Sequence, residues 1–227
     1  MTESTVLDNP RWTKLSCKRQ DELLEEYRDI NVDHEWWDYT YDWFKEKCAA
    51  VGIDVGDIYF SGFWSQGDGA CFTGAVSDWP KVLKAVNQEN FLKYKPEENY
   101  WRFGVTTSGR YMHAYTMSSN LEAELEDNPY DEEDEPLQFD AWAIKYDLTE
   151  GMLEHLVDDL LKFCRDLAND LYKALKEEYE YLTSDEVIVE YILENLDDDE
   201  LRDPDEELDQ EDAADPQVDH THQLELF

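Results

Sequence analysis

The chain has 227 residues, 41% of them hydrophobic and 14% aromatic, enough for a sizeable core in one domain with appendages or in two small domains. Its 57 acidic side chains against 19 basic ones leave a formal net charge of −38. That charge argues against direct contact with nucleic acid or anionic lipid and makes a basic surface the natural partner.

The charge is lopsided: residues 121–227 hold 38 of the acidic side chains and only 6 of the basic ones. No apolar run is long enough to span a bilayer, and the start MTESTVLDNPRW lacks the basic-then-apolar pattern of a signal peptide. The expectation is a cytoplasmic protein without membrane contact. Cys17, Cys48, Cys71 and Cys164 are far apart with no C-x-x-C pair, which suits reduced thiols better than a disulfide framework or a zinc site.

Along the chain, CKRQDELLEEYRDI places Leu23, Leu24, Tyr27 and Ile30 at helical spacing. HEWWDYTYDWFKEKCAAVGI continues with Trp36, Trp37, Phe44, Cys48 and Val51, a second helix ending at Gly52. The period then changes. DIYFSGFW and ACFTGAV read as strands around the polar connection SQGDG. SDWPKVLKAVNQENFL reads as a short helix capped by Ser77 or Asp78, with Pro80 in its first turn. NYWRFGVTTSGRYMHAYTM predicts a hairpin of two arms around Ser108 and Gly109.

EAELEDNPYDEEDEP has nine acidic residues and no basic one, the signature of a solvated loop or disordered insertion over about 121–136. LQFDAWAIKYDL alternates as a further strand. From Thr149 the apolar stripe Leu153, Leu156, Val157, Leu160, Leu161, Cys164, Leu167, Leu171 and Leu175 predicts a long helix of about seven turns. TSDEVIVEYILENL predicts one more helix, opened by a capping box of Thr183 with Glu186. Residues 197–219 then hold thirteen acids and one arginine, which reads as a disordered tether over 197–222. The fold class is α+β: a central antiparallel sheet of about five strands packed with helices in one body over 1–196, followed by an acidic tail.

The chain ends in DHTHQLELF, an apolar peptide behind an acidic linker, which is the form of a short linear recognition motif. Gln223-Leu224-Glu225-Leu226-Phe227 resembles the pentapeptide Gln-Leu-Ser/Asp-Leu-Phe by which bacterial polymerases and repair proteins dock on the β sliding clamp. Four specified residue types at fixed spacing recur by chance roughly once in 10⁵ positions. The resemblance implies that Gln223 hydrogen-bonds at the rim of the clamp pocket, that Leu224 fills one subsite, and that Leu226 and Phe227 enter the apolar cleft. Glu225 departs mildly from the usual middle residue. The competing expectation is a tail that folds back onto its own body.

The stretch YFSGFWSQGDGACFTG allows two chemical readings. Asp68-Gly69-Ala70-Cys71 resembles the nucleophile motif Asp-Gly-x-Cys of ovarian-tumour-type cysteine proteases, which implies Cys71 as nucleophile with His113 as base. The residues after Cys71 read as a strand rather than a helix start, and that family's Leu-Phe-Arg continuation is missing. The other reading is a glycine turn whose backbone groups are satisfied by Ser65, Gln66 and Asp68. Together with SGRYMHAYTM and EEYEYLTSDE, the stretch also resembles an uncharacterised group of phage and prophage proteins, which implies no known chemistry.

His34, His113 and His155 are scattered, His220 and His222 stand two apart without partners for a metal site, no nucleotide-binding or hydrolase motif occurs, and no cofactor is implied. The leading expectation is a non-enzymatic accessory protein of a phage or mobile element, acting in the bacterial cytoplasm. It docks on the sliding clamp through Gln223, Leu224, Leu226 and Phe227. Its polar helix face, with Glu150, Glu154, Asp158, Asp166, Asp170 and Glu177, would imitate DNA phosphates before a basic host protein that handles DNA or defends against phage. The alternatives are the cysteine hydrolase and a passive clamp competitor whose acid provides only solubility.

Overall fold

The computed structural model describes residues 5–98, 101–122 and 149–202. Its elements are α1 (Pro10–Thr13), α2 (Cys17–Glu26), α3 (Asp38–Ala50), β1 (Ile53–Phe60), β2 (Ala70–Val76), α4 (Trp79–Ala85), β3 (Arg102–Thr107), β4 (Met117–Glu122), α5 (Glu150–Leu182), α6 (Asp185–Asn195) and α7 (Asp198–Leu201). Short 3₁₀ turns occupy Val6–Asp8, Glu89–Tyr94 and Ala114–Thr116. The fold is α+β, and among the described residues the sheet has four antiparallel strands in the order β1-β2-β3-β4. The described residues fall into two compact units, one within Glu35–Tyr179 and the other within Met1–His34 and Glu180–Phe227.

In the sheet unit, β1 carries its apolar residues at Ile53 and Val55 and again at Ile58 and Phe60, an alternation broken in the middle. The break is a bulge: pairing shifts between Val55 opposite Gly74 and Ile58 opposite Phe72. Gly56 and Asp57 together face Thr73, whose hydroxyl accepts the Asp57 N–H at 2.9 Å. A Cβ on Gly56 would lie 2.9 Å from that same hydroxyl and would push it off the Asp57 amide.

The core lies where the sheet meets α3 and α5. Phe44 of α3 meets Phe72 of β2 edge-on at 5.2 Å between ring centroids. Leu156, Leu160, Leu171 and Leu175 of α5 are fully buried, each burial stabilising by about 1.5–3 kcal/mol. The turn into α4 is fixed by Gly52, at φ +87, whose carbonyl accepts the amides of Ser77 and Asp78 at 2.8 and 3.2 Å. Asp78 then caps α4 by accepting the Lys81 N–H at 3.0 Å, with Pro80 in the first turn as expected.

The helical unit is smaller. Trp12, Leu23, Ile188, Val189, Ile192 and Leu201 form its core. Arginines from the first thirty residues bind carbonyls left open at helix ends and turns 155 to 185 residues later. Arg11 donates to the carbonyls of Leu193 and Leu196 at 2.8 and 2.9 Å and pairs with Asp198 at 2.7 Å. Arg19 donates to the Glu200 carbonyl at 2.7 Å, and Arg28 to the Thr183 carbonyl and the Asp185 carboxylate at 3.2 and 2.8 Å.

Several expectations are corrected. The first sheet strand is Ile53–Phe60 rather than residues 57–64, because the bulge hides the register of its first half and Ser61–Trp64 have left the sheet. The hairpin is present, but its connection runs from Ser108 to Thr116, and the arm RYMHAYT is loop and 3₁₀ turn instead of strand. Leu121 and Glu122 belong to β4 and not to the acidic loop.

The capping residue of α6 is Ser184 rather than Thr183, and the Ser184 hydroxyl donates to the Tyr181 carbonyl. A capping box stands at α7: the Asp197 carboxylate accepts the Asp199 and Glu200 amides at 2.9 and 3.0 Å, and Glu200 returns a bond to the Asp197 amide. The tether therefore does not begin at 197, since α7 is folded and Leu201 is buried. The expected strand in 137–148, the insertion beyond Glu122, the rest of the tether and the pentapeptide 223–227 lie outside the described residues.

Candidate functional site

Loops 61–69 and 108–116 leave the sheet at the same end, since β1 ends and β2 begins beside the turn from β3 to β4. They touch closely. A Cβ on Gly69 would lie 2.6 Å from the His113 Cβ, so only glycine allows this approach. Asp68, expected as a catalytic partner, is occupied with its own loop: its carboxylate accepts the amides of Trp64 and Ser65 at 2.9 and 2.6 Å.

Cys71 is fully buried, and its thiol donates to the Thr107 hydroxyl at 3.5 Å. Thr107 meets the Thr116 hydroxyl at 3.2 Å, and Thr116 ends the chain on the carbonyls of Tyr111 and His113 at 2.9 and 2.8 Å. Carbonyls only accept, so the chain has one direction: Thr116 donates to them, Thr107 to Thr116, and the thiol to Thr107. In this chain nothing donates to the sulfur and nothing removes its proton. The His113 Nδ1 is buried without a hydrogen-bond partner, and its ring lies between Tyr111 and Tyr115, each 6.2 Å away. Asp68, Cys71 and His113 are neighbours in the fold, yet no hydrogen bond joins thiol to imidazole. A thiolate needs a cation, a helix N-terminus or an adjacent base, and this thiol has been given an acceptor instead.

The other buried thiols are held in the protonated form by burial. Burial pushes Cys48 and Cys164 up to about 12, beyond the range in which a thiolate forms at neutral pH. Among the described residues no three His, Cys, Asp or Glu side chains gather as a metal site.

The expected acidic face of α5 divides into two rows. At about 100° per residue, Glu154 and Asp158 lie about 40° apart, and Asp166, Asp170 and Glu177 fall within about 40° of one another. Exposed Lys162 and Lys173 sit between the rows. Glu154, Asp158, Asp166 and Glu177 are exposed, and among the described residues none of the four forms an ion pair. Asp170 departs from the expectation: it is half-buried and holds Lys47 of α3 at 2.8 Å. Glu150 occupies the first position of α5, one turn before Glu154.

Two features escaped the sequence reading. One is the exposed aromatic rim of the loops, Trp64, Tyr111 and Tyr115, with Arg110 lying 5.5 Å over the Tyr111 ring. The other is a groove of about 340 Å³ between α3 and α5, lined by Tyr39, Thr40, Trp43, Ala174, Glu177 and Glu178. The available signal was the spacing of Tyr39, Trp43 and Lys47 by four, a helical row beside the buried row Thr40, Phe44 and Cys48.

Residues 36–185 match a family described as a domain of unknown function (DUF8835). No curated protein and no solved structure matches the chain.

Proposed function

The chain belongs to the DUF8835 family, and we propose that it is a phage or mobile-element accessory protein that docks on the bacterial sliding clamp and offers an acidic helix to a basic, DNA-handling or defence protein of the host. The observation that carries the proposal is the pentapeptide Gln223–Phe227, Gln-Leu-Glu-Leu-Phe, behind a run of thirteen acids. Leu226 and Phe227 supply the apolar contact, Leu224 a second subsite and Gln223 a polar bond at the rim.

The acidic helix supports the second half of the reading. Glu154 and Asp158, and on the other row Asp166 and Glu177, are exposed carboxylates without ion-pair partners among the described residues. Carboxylates one helical turn apart lie roughly 6 Å from each other, close to the spacing of successive phosphates along a strand. A basic cleft built for DNA gains by exchanging its counterions for such a row. Linkage to the clamp raises the local concentration of that row, to the millimolar scale typical of short tethers.

Clamp recruitment and acidic competition are separable. Deleting residues 223–227 abolishes clamp binding and leaves competition with DNA intact. Reversing Glu154 and Asp158 to Lys does the opposite. Binding to the basic partner weakens as salt rises, and excess duplex DNA displaces it. If DNA does not compete, the helix is acidic for solubility alone.

A further inference from the structure

Helices α3 and α5 meet in antiparallel layers one turn apart, and each layer has a different filling. In the first, Lys47 of α3 bonds to Asp170 of α5 at 2.8 Å, and its ammonium stands 5.0 Å over the ring of Trp43. This is a cation held between an aromatic face and a carboxylate. One turn further along each helix Trp43 and Ala174 line the groove, where the single methyl of alanine leaves room beside buried Thr40. At the last, Tyr39, Glu177 and Glu178 line the groove. The same ingredients recur there, aromatic rings and carboxylates, but among the described residues no cation lines this layer.

The exposures fit an unfilled subsite. Tyr39 is 80% exposed and Trp43 40%, large aromatic areas to leave in water beside two carboxylates. Among the described residues neither Glu177 nor Glu178 forms an ion pair.

We infer that this groove binds an arginine side chain presented by a basic partner protein. The inference rests on the proposed acidic-helix function and names the anchor through which it is selective. Charge complementarity commits the occupant to a cation, and the aromatic walls commit it to a planar one. A guanidinium stacks on Trp43 or Tyr39 and is weakly hydrated, so it gives up water readily at an apolar wall. Its fork of N–H donors reaches the adjacent carboxylates of Glu177 and Glu178 together, which a lysine ammonium does less well. The row of carboxylates attracts any basic surface. The groove selects one that carries an arginine at the right place.

The test uses the intact protein with its tryptophan side chains labelled for NMR and N-acetyl-arginine methylamide as probe. The Trp43 indole signal, assigned with Trp43→Phe, shifts and saturates in the millimolar range expected of so small a ligand. The uncharged isostere N-acetyl-citrulline methylamide gives no saturable shift, and the lysine analogue binds at least about threefold more weakly. Glu177→Gln with Glu178→Gln weakens the arginine probe at least about threefold, whereas Glu154→Gln with Asp158→Asn, on the other row, leaves it unchanged.

Shifts that stay linear and spread over all the tryptophans overturn the inference, as does citrulline binding as well as arginine, lysine matching arginine, or equal losses from both double variants. No host protein, DNA or clamp enters this measurement. Its failure therefore leaves the proposed function standing, and failure of DNA competition leaves the groove standing.

Discussion

In the sheet unit an aromatic and leucine core carries the stability: Phe44 against Phe72, with Leu156, Leu160, Leu171 and Leu175 fully buried beneath the strands. In the helical unit six buried side chains do the same work on a smaller scale, and Arg11, Arg19 and Arg28 add bonds to carbonyls at distant turns and helix ends. The first arrangement rests on one continuous apolar core. The second depends on a few long-range polar contacts, each removable by a single substitution. The family match spans the whole sheet unit except its first residue and leaves most of the helical unit outside it. The two units are therefore built on different physics.

The largest expected effect is on the sheet unit. Phe72→Ala leaves a cavity opposite Phe44 and costs about 3–5 kcal/mol, read as lost amide protection in β1 and β2. Arg11→Ala, in the helical unit, costs about 2 kcal/mol because the Leu193 and Leu196 carbonyls lose a charged donor. Its signature is faster amide exchange in α6 and α7 while β2 keeps its protection. Equal loosening of both units by Arg11→Ala contradicts the contrast.

The smallest effect depends on pH. Hydrogen bonds from Lys81, side chain first and then backbone, hold the Asp78 carboxyl below the usual carboxylate range. A depressed folded value stabilises the fold above the unfolded pKa of about 3.9 and loses that contribution as pH falls through the folded value. Asp78→Ala therefore lowers the thermal midpoint at pH 7, and its gap to the parent narrows as pH falls below the unfolded carboxylate value and through the depressed folded one. A gap that persists in strong acid means that Asp78 acts through packing and not through charge.

The sheet unit was also the more legible of the two. ACFTGAV is β2 to the residue, Asp78 and Pro80 open α4, and the leucine stripe foretells α5, because each is written in a local period or a cap. The misses in that unit are local breaks of period. The bulge at Gly56 and Asp57 shifts the alternation of β1, and the connection 108–116 contains β-rich residues that serve as loop. The helical unit was harder because arginine–carbonyl bonds across 155 to 185 residues have no local period. Leu201 was hidden among acids that turned out to cap a helix.

At the candidate sites, sequence placed Asp68, Cys71 and His113 together but could not show that the thiol donates into a threonine chain. It found the carboxylates of α5 without their division by Lys162 and Lys173. It missed the groove, because a tyrosine and a tryptophan four residues apart on a helix read equally well as core.

The most direct measurement of the functional proposal is binding of the intact chain to purified bacterial sliding clamp in the presence of a free nine-residue peptide, Asp219–Phe227. The account predicts binding at micromolar strength or weaker, displacement by the peptide, and no binding by the Leu226→Ala, Phe227→Ala double variant. Binding that survives both the peptide and the double variant would mean that the chain reaches the clamp by another surface, and no binding at all would remove the clamp from the account.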